Sequence, residues 1–151
     1  MPPVEEAKQV VSVGSDVFGR EVFLSPPTAR AWHRLHRAAK CEGVHPLLIS
    51  GFRSFSHQVK IVTRKLRAGQ SLEDILRVSA YPGHSEHHAG TALDLGSPQA
   101  EPLSEAFEHT PEFNWLTAQA SEFGFTLSYP RKNERGIAFE PWHWNYTGPA
   151  T

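Results

Sequence analysis

Two segments with helix start and stop signals at both ends constrain the fold of this chain most. SPPTARAWHRLHRAAKCEG, residues 25–43, opens on a Ser-Pro pair and closes on a glycine. TPEFNWLTAQASEFG, residues 110–124, opens on Thr-Pro and also closes on a glycine. A hydroxyl residue before proline is typical of a helix N-terminus, and glycine is typical of the position just past a helix end. Both segments are therefore predicted helices.

Shorter patterns predict the elements around these two helices. Further helices are predicted at FSHQVKIVTRKLRAG (55–69) and SLEDILRVSA (71–80). Strands are predicted at HPLLIS (45–50), TALDLG (91–96), FTLSYP (125–130) and IAFEPWHWNY (137–146). VVSVGSDVFGREVFL (10–24) predicts a hairpin around Gly14, Ser15 and Asp16. Helices mixed with short strands predict an α+β fold with a small, mainly antiparallel sheet.

The size of the chain predicts one domain. At 151 residues it has the length of one ordinary domain with a hydrophobic core of its own. Within it, residues 1–24 are predicted to form an N-terminal segment and residues 25–151 the main body. No apolar run approaches the roughly 20 residues that a membrane-spanning helix needs.

Charge and cysteine content exclude some classes of partner. Fifteen basic and sixteen acidic residues leave a net charge of -1, which argues against nucleic acid or an anionic membrane as a partner. The single cysteine cannot form an internal disulfide, and the start of the chain lacks the pattern of a signal peptide. The location is left open: periplasmic or cell-envelope if a leader has been removed, and otherwise cytoplasmic. The oligomeric state is left open.

Potential metal ligands are concentrated in YPGHSEHHAGTALDLG at 81–96 and FEPWHW at 139–144. A catalytic zinc site usually takes three protein ligands and leaves its fourth position for water. The first stretch offers His84, His87, His88 and Asp94, and the second offers His143 with Glu140 three residues before it. Taken alone, however, the first stretch also fits a polar surface loop, and the second fits an aromatic core strand. Composition therefore leaves both interpretations open.

Pro141 affects how the second stretch can contribute to a site. In a regular strand Glu140 and His143 would face opposite sides, because side chains alternate with period two. Proline cannot donate to a central ladder, and it restricts the conformation of the residue before it. A local irregularity at Pro141 could thus bring both side chains to one site.

Three separated motifs, in order, carry a resemblance to a known family. They are SGFRS at 50–54, the pattern S-x-H-x-x-G-x-A-x-D at 85–94, and E-P-W-H at 140–143. Together they resemble the zinc D-alanyl-D-alanine carboxypeptidases linked to vancomycin resistance and their L,D-carboxypeptidase relatives. The resemblance runs from about Ser25 to Tyr146 and implies a hedgehog-like metallopeptidase fold with a zinc site at the sheet.

The resemblance also implies a role for each matching residue. One Zn²⁺ per chain would be held by His87, Asp94 and His143, with Glu140 as general base. Arg53, Gln58 and Ser85 would contact the substrate, Arg53 also serving catalysis through the carboxylate or oxyanion it can bind. His84 and His88 are expected not to bind the metal. The implied substrate is a peptidoglycan stem peptide or precursor that loses a C-terminal D-alanine.

Two alternatives to a carboxypeptidase remain at this point. One is an endopeptidase that cuts between stem residues. The other is an inactive zinc-binding domain that recognises cell-wall peptide or a protein partner, as in the signalling domain of hedgehog proteins. Glu140 argues against the inactive domain, because pure binding needs no base in register with three ligands. The motifs do not distinguish D,D from L,D specificity.

Overall fold

A computed structural model describes residues 3–78 and 82–148 of the chain. The strands are β1 (Val11–Ser15), β2 (Glu21–Leu24), β3 (Leu47–Ser50), β4 (Ala92–Gly96), β5 (Phe125–Leu127) and β6 (His143–Tyr146). The α-helices are α1 (Pro26–Cys41), α2 (Phe55–Arg67), α3 (Leu72–Val78) and α4 (Pro111–Gln119). Short 3₁₀ helices cover Glu86–Ala89, Glu105–His109 and Ala120–Phe123. The predicted single-domain α+β fold is confirmed.

The central sheet is antiparallel throughout, with strand order β3-β4-β6-β5. Strand β4 lies between β3 and β6 and is buried along its whole length. Its register pairs Asp94 with Ser50 on one side and with His143 on the other. This pairing places residues from all three predicted motifs side by side. A prediction of separate strands from the sequence does not give this register.

The hydrophobic core lies between the sheet and the helices. Its largest buried members include Leu24, Trp32, Leu35, Leu93, Leu95, Phe107, Leu116, Phe125 and Trp144. Leu24 belongs to the N-terminal hairpin, so that hairpin packs against the same core as α1 and β4. The predicted division of the chain at residue 24 stays a prediction.

The predicted helix ends are close to the observed ones, with two differences in detail. Thr110 caps α4 by accepting a hydrogen bond from the Phe113 N–H at 3.2 Å. Ser25 stands at the N-cap of α1, but its hydroxyl contacts the Thr28 hydroxyl at 2.8 Å and makes no side-chain cap. Helix α4 ends at Gln119 and continues as a 3₁₀ helix towards Gly124. The predicted end of the helix at 79–80 lies outside the described residues.

The predicted hairpin forms, but its turn was placed too early. The connection runs over residues 16–20, where Asp16 Oδ1 accepts hydrogen bonds from the backbone N–H groups of Phe18 and Arg20 at 2.8 and 3.0 Å. Gly14 instead lies within β1, at an irregularity in the strand pairing. The aspartate closes the turn because its short side chain can accept from backbone groups just ahead of it.

Two predicted strands are shorter than expected. Strand β5 ends at Leu127, and β6 begins only at His143, not at residue 137. A turn over Pro141 and Trp142 precedes β6, and the His143 N–H donates to the Glu140 carbonyl at 3.3 Å. The irregularity expected at Pro141 is therefore present. None of the described helices has the length and apolar character needed to cross a membrane.

Candidate active site

Two imidazoles and one carboxylate meet at the junction of β4 and β6. Potential ligand atoms of His87, Asp94 and His143 all lie within 4.8 Å of one another. Asp94 Oδ1 is 3.3 Å from His87 Nε2 and 3.3 Å from His143 Nδ1. All three side chains are buried, so the cluster lies inside the protein and not on its surface.

The local sequence explains how His87 reaches this cluster. It lies in the 3₁₀ helix Glu86–Ala89, whose N-cap Ser85 accepts a hydrogen bond from the His87 N–H at 3.2 Å. Gly90 ends that helix with φ of +71°, and a Cβ there would lie 2.8 Å from the Ser25 nitrogen. Only glycine combines this backbone conformation with so close an approach. The motif S-x-H-x-x-G thus contains both the N-cap and the C-cap of one short 3₁₀ helix.

Each candidate ligand has its remaining polar atom held by the surrounding chain. His87 Nδ1 lies 2.7 Å from the carbonyl of Gly51, and the Ser50 hydroxyl donates to Asp94 Oδ2 at 2.8 Å. His143 Nε2 lies 2.9 Å from Glu86 Oε1. These partners assign the proton of His87 to Nδ1 and direct Nε2 into the cluster, as outer hydrogen bonds do at metal sites.

Gly51 matters for this arrangement because the chain passes very close to the hairpin. A Cβ on Gly51 would lie 2.6 Å from a methyl group of Val22 and 2.7 Å from the Phe23 carbonyl oxygen. The absence of a side chain at Gly51 therefore lets the turn after β3 pack closely against β2. It also brings the Gly51 carbonyl to the ring of His87.

Asp94 Oδ1 is the atom that needs a partner. It is buried and accepts no hydrogen bond from any residue in the described part of the chain, although the two imidazole nitrogens lie near it. Buried polar atoms are nearly always paired, and a buried carboxylate oxygen without a partner is costly. A cation between the three atoms would satisfy it, and two nitrogens with one oxygen suit Zn²⁺.

The charges of the cluster shift the titration of its members. Burial lowers the pKa of His87, against the opposing effect of Asp94. Burial alone would raise the pKa of Asp94, but His87 and His143 hold it well below its usual value. For His143, burial is outweighed by interactions with the Asp94 and Glu86 carboxylates, which raise its pKa to about 9. The site thus concentrates acidic and basic groups away from water.

Glu140 lies beside the cluster without joining it. Its Oε1 is 3.9 Å from His143 Nδ1, and its backbone N–H donates to the Tyr129 carbonyl at 3.0 Å. The side chain keeps 12% exposure. Burial raises the pKa of Glu140 to about 7, with Asp94 and Glu86 adding to the effect and His143 and Arg53 opposing it. Such a carboxyl group can accept and release a proton near neutral pH.

A pocket of about 230 Å³ opens onto these groups. Six of the seven predicted site residues line it: Arg53, Ser85, His87, Asp94, Glu140 and His143. The seventh, Gln58, is fully buried, and its side-chain carbonyl accepts a hydrogen bond from Arg53 at 3.0 Å. Gln58 therefore contacts the pocket residue Arg53, and direct contact between Gln58 and substrate stays a prediction.

The other two histidines of the first motif are not members of the cluster. His88 is buried, with Nδ1 2.8 Å from the Arg53 carbonyl and Nε2 accepting from the Gly83 N–H at 3.1 Å. It supports the backbone beside Arg53. His84 is half-buried and lies outside the three-ligand cluster.

Sequence reasoning missed several residues of the site. Lys65 lines the pocket with Arg53, and it lies seven residues after Gln58, on the same face of α2. This helical spacing could have indicated from the sequence that Lys65 lies near Gln58 and Arg53. Glu86 and Tyr129 had no comparable signal, because their position beside His143 depends on contacts between distant segments. Trp142 also lines the pocket, whereas Trp144 lies in the core.

The chain is similar to known proteins over most of its length. The family model described as "VanY: D-alanyl-D-alanine carboxypeptidase" matches residues 21–149. YodJ of Bacillus subtilis (strain 168) is 34% identical over 132 residues, which cover 83% of this chain and 47% of YodJ. Across the relatives it matches, the chain spans between 41% and 69% of their length, about half in most cases.

Solved structures show the same fold. The structure of the LdcB LD-carboxypeptidase, described as revealing the basis of peptidoglycan recognition, has a TM-score of 0.85 and 30% identity and covers 97% of this chain and 72% of its own. A mutant of the D,D-pentapeptidase VanY in complex with Zn(II) has a TM-score of 0.70 and 25% identity, with coverages of 97% and 83%. With most of its length matched by the family model, this chain belongs to the VanY family of D-alanyl-D-alanine carboxypeptidases.

Proposed function

We propose that this protein is a zinc-dependent carboxypeptidase that removes a C-terminal D-alanine from peptidoglycan stem peptides or precursors. The observation that carries the proposal is the buried Asp94 Oδ1, which lacks a hydrogen bond from the described residues and faces two imidazole nitrogens in a pocket with a carboxyl group and a guanidinium. Family membership and the zinc-bound VanY structure support it. Its specificity is D,D or L,D, since relatives of both kinds share the fold.

His87, Asp94 and His143 would hold the zinc ion through Nε2, Oδ1 and Nδ1, the atoms that face one another. When bound, zinc acts as a Lewis acid towards the scissile carbonyl and lowers the pKa of a water molecule. Two neutral imidazoles and one carboxylate leave the ion with a net positive charge, which these functions require. The hydrogen bonds from Ser50 and to Gly51 and Glu86 keep the three side chains oriented before the metal arrives.

Glu140 is assigned the role of general base and acid. Its carboxyl group lies at the edge of the cluster, close enough to reach a water molecule beside the ligands. Beside a bound cation, Glu140 would be held in its carboxylate form, which could take a proton from a water molecule. The same group then delivers that proton to the leaving amine, so that Glu140 returns to its starting state.

Arg53 is assigned to the free carboxylate at the end of the substrate. A guanidinium presents a planar fork of donors that matches a carboxylate. One of its nitrogens already donates to Gln58, which fixes the orientation of the fork at the pocket wall. Lys65 adds a second positive charge to the same pocket, which Ser85 also lines. This combination favours an anionic chain end.

The proposed reaction is tested with defined stem peptides. Tetrapeptides and pentapeptides are incubated with zinc-loaded protein and examined by mass spectrometry. Loss of one terminal D-alanine is expected, from the pentapeptide for D,D specificity or the tetrapeptide for L,D specificity. Internal cleavage would support an endopeptidase instead. Intact peptides with a protein that binds zinc would point to a recognition domain and would contradict the proposal.

Replacing Arg53 by alanine is expected to lower kcat/KM by about 10- to 100-fold, because loss of a charge-assisted hydrogen bond costs roughly 1.5–3 kcal/mol. Amidation of the substrate's C-terminus should cause a similar loss with the unaltered enzyme. The two losses should not add, since each change removes one half of the same contact. Steady-state kinetics on free and amidated peptides with both proteins measures all four values.

Arg64→Ala is the matched control for Arg53→Ala. Arg64 lies on the exposed face of the neighbouring helix α2 and does not line the active-site pocket. This variant should retain normal kinetics with both peptides. An amidated peptide cleaved as fast as the free acid by the unaltered enzyme would contradict terminal carboxylate recognition.

A further inference from the structure

Glu86 stands directly before His87, yet its side chain points to a different partner. Glu86 Oε1 lies 2.9 Å from His143 Nε2, while His143 Nδ1 lies 3.3 Å from Asp94 Oδ1. The glutamate is therefore on the opposite side of the imidazole ring from the cluster. We propose that Glu86 is a positioning residue that holds His143 with Nδ1 directed at the metal. The inference rests on the proposed zinc site and adds a residue outside its ligand set.

The chemistry of imidazole explains why such a residue is needed. A neutral histidine carries one proton, on either Nδ1 or Nε2, and only the other nitrogen can bind a metal. An ionised carboxylate is an acceptor only, so the nitrogen facing Glu86 must carry the proton. Nδ1 faces Asp94 in the cluster at 3.3 Å, so it is the nitrogen that would give up its proton and bind the metal. Without Glu86, Nε2 would lose the acceptor that keeps a proton on that nitrogen.

Other residues hold the Glu86 carboxylate in place. The Ser128 hydroxyl donates to Oε1 at 2.6 Å, and Arg135 donates to Oε2 at 3.1 Å. Both oxygens are thus engaged, and the carboxylate cannot rotate away from His143 without breaking one of these contacts. Glu86 side-chain exposure is only 13%, so water competes weakly for it.

The same contacts connect two parts of the active site. Ser128 and Arg135 belong to the segment between β5 and β6, which also supplies Glu140 and Tyr129 to the pocket. Glu86 therefore attaches this segment to the 3₁₀ helix that carries His87. His87 and His143 face Asp94 through different nitrogens, Nε2 and Nδ1, and their other nitrogens face Gly51 and Glu86.

Zinc affinity tests the proposal without any need for turnover. The dissociation constant is measured by competition with a chromophoric chelator for the unaltered protein, Glu86→Met and Glu86→Gln. Methionine keeps the side-chain length but offers no acceptor oxygen, and the affinity should fall about 10- to 100-fold, as for other outer partners of metal ligands. Glutamine keeps one acceptor oxygen for His143 and should recover most of that loss. The exposed Arg135 guanidinium would then be hydrated by solvent.

Glu108→Met is the matched control. Glu108 is also partly buried and is paired with an arginine, Arg131, at 2.6 Å, but it lies outside the metal cluster. This variant can lose stability, but its folded form should bind zinc normally. Equal zinc affinity in Glu86→Met and the unaltered protein would overturn the inference. No zinc binding by the unaltered protein would instead overturn the proposed function, and the inference with it.

A second measurement needs no variant and decides the matter if Glu86→Met does not fold. Long-range ¹H–¹⁵N spectra of the zinc-loaded protein report which nitrogen of each histidine is protonated. His143 should be protonated at Nε2 and metal-bound at Nδ1, and His87 should show the reverse. A His143 ring protonated at Nδ1 would overturn the inference.

Discussion

Asp94→Ala should lose its zinc, and with it all measurable turnover. Asp94 supplies the one negative charge of the proposed ligand set and stands between the two imidazoles, 3.3 Å from each. Loss of an outer partner alone costs about 10- to 100-fold in metal affinity, so loss of the ligand itself should cost more than about 100-fold. His87→Ala and His143→Ala should behave in the same way. Metal analysis after dialysis gives the zinc content per chain.

Two other histidines serve as comparisons for the ligand variants. His33→Ala removes an exposed side chain from α1 and should keep both zinc and stability. His88→Ala should also keep its zinc but unfold more easily, because the buried ring contacts the backbone of Arg53 and Gly83. Full zinc content in Asp94→Ala, or loss of zinc from folded His88→Ala, would show that the ligand set is wrong.

Glu140→Ala and Glu140→Gln should bind zinc normally and lose turnover by at least about 10²- to 10⁴-fold. A positioned general acid or base is worth about that factor, and here one group serves two proton transfers. Glutamine keeps the size of the side chain but cannot take the proton from water. Because Glu140 lies next to the ligands but is not among them, zinc content should separate its role from theirs.

Glu134→Gln provides the control for Glu140→Gln. Glu134 is exposed on the same segment between β5 and β6 and does not line the pocket. Its replacement should leave kcat and KM unchanged. If Glu140→Gln hydrolysed stem peptides at nearly the normal rate, the proton transfers would have to be made by another group.

Features that depend on neighbouring residues could be predicted from the sequence. Helices α1 and α4 begin at their Ser-Pro and Thr-Pro signals, because the backbone restriction of proline and, at Thr110, a capping hydroxyl act within a few residues. Gly124 ends the 3₁₀ helix that continues α4. The effect of Pro141 is of the same kind. The turn that brings Glu140 within 3.9 Å of His143 Nδ1 follows from what proline does to its own strand.

The candidate ligands were also found from sequence, but through motif resemblance and not through local physics. Nothing within 81–96 distinguishes His87 from His88 by chemistry, since both are histidines next to each other. The structure separates them by direction: the ring of His87 faces Asp94, and that of His88 faces the Arg53 and Gly83 backbone. The 3₁₀ helix makes the difference, because adjacent residues on it point to different sides.

Only the tertiary structure decided what surrounds the ligands. The register of β4 sets Asp94 opposite Ser50 and His143, which lie 44 and 49 residues away in the chain. Glu86 reaches His143 across 57 residues and Ser128 across 42. Such contacts depend on how strands pair and loops pack, and local preferences carry no information about either. The sequence by itself therefore determined where the helices lie, and motif resemblance supplied the candidate site residues. The fold decided which nitrogen of each histidine faces the site. It also decided that Gln58 is buried against Arg53 and does not line the pocket itself.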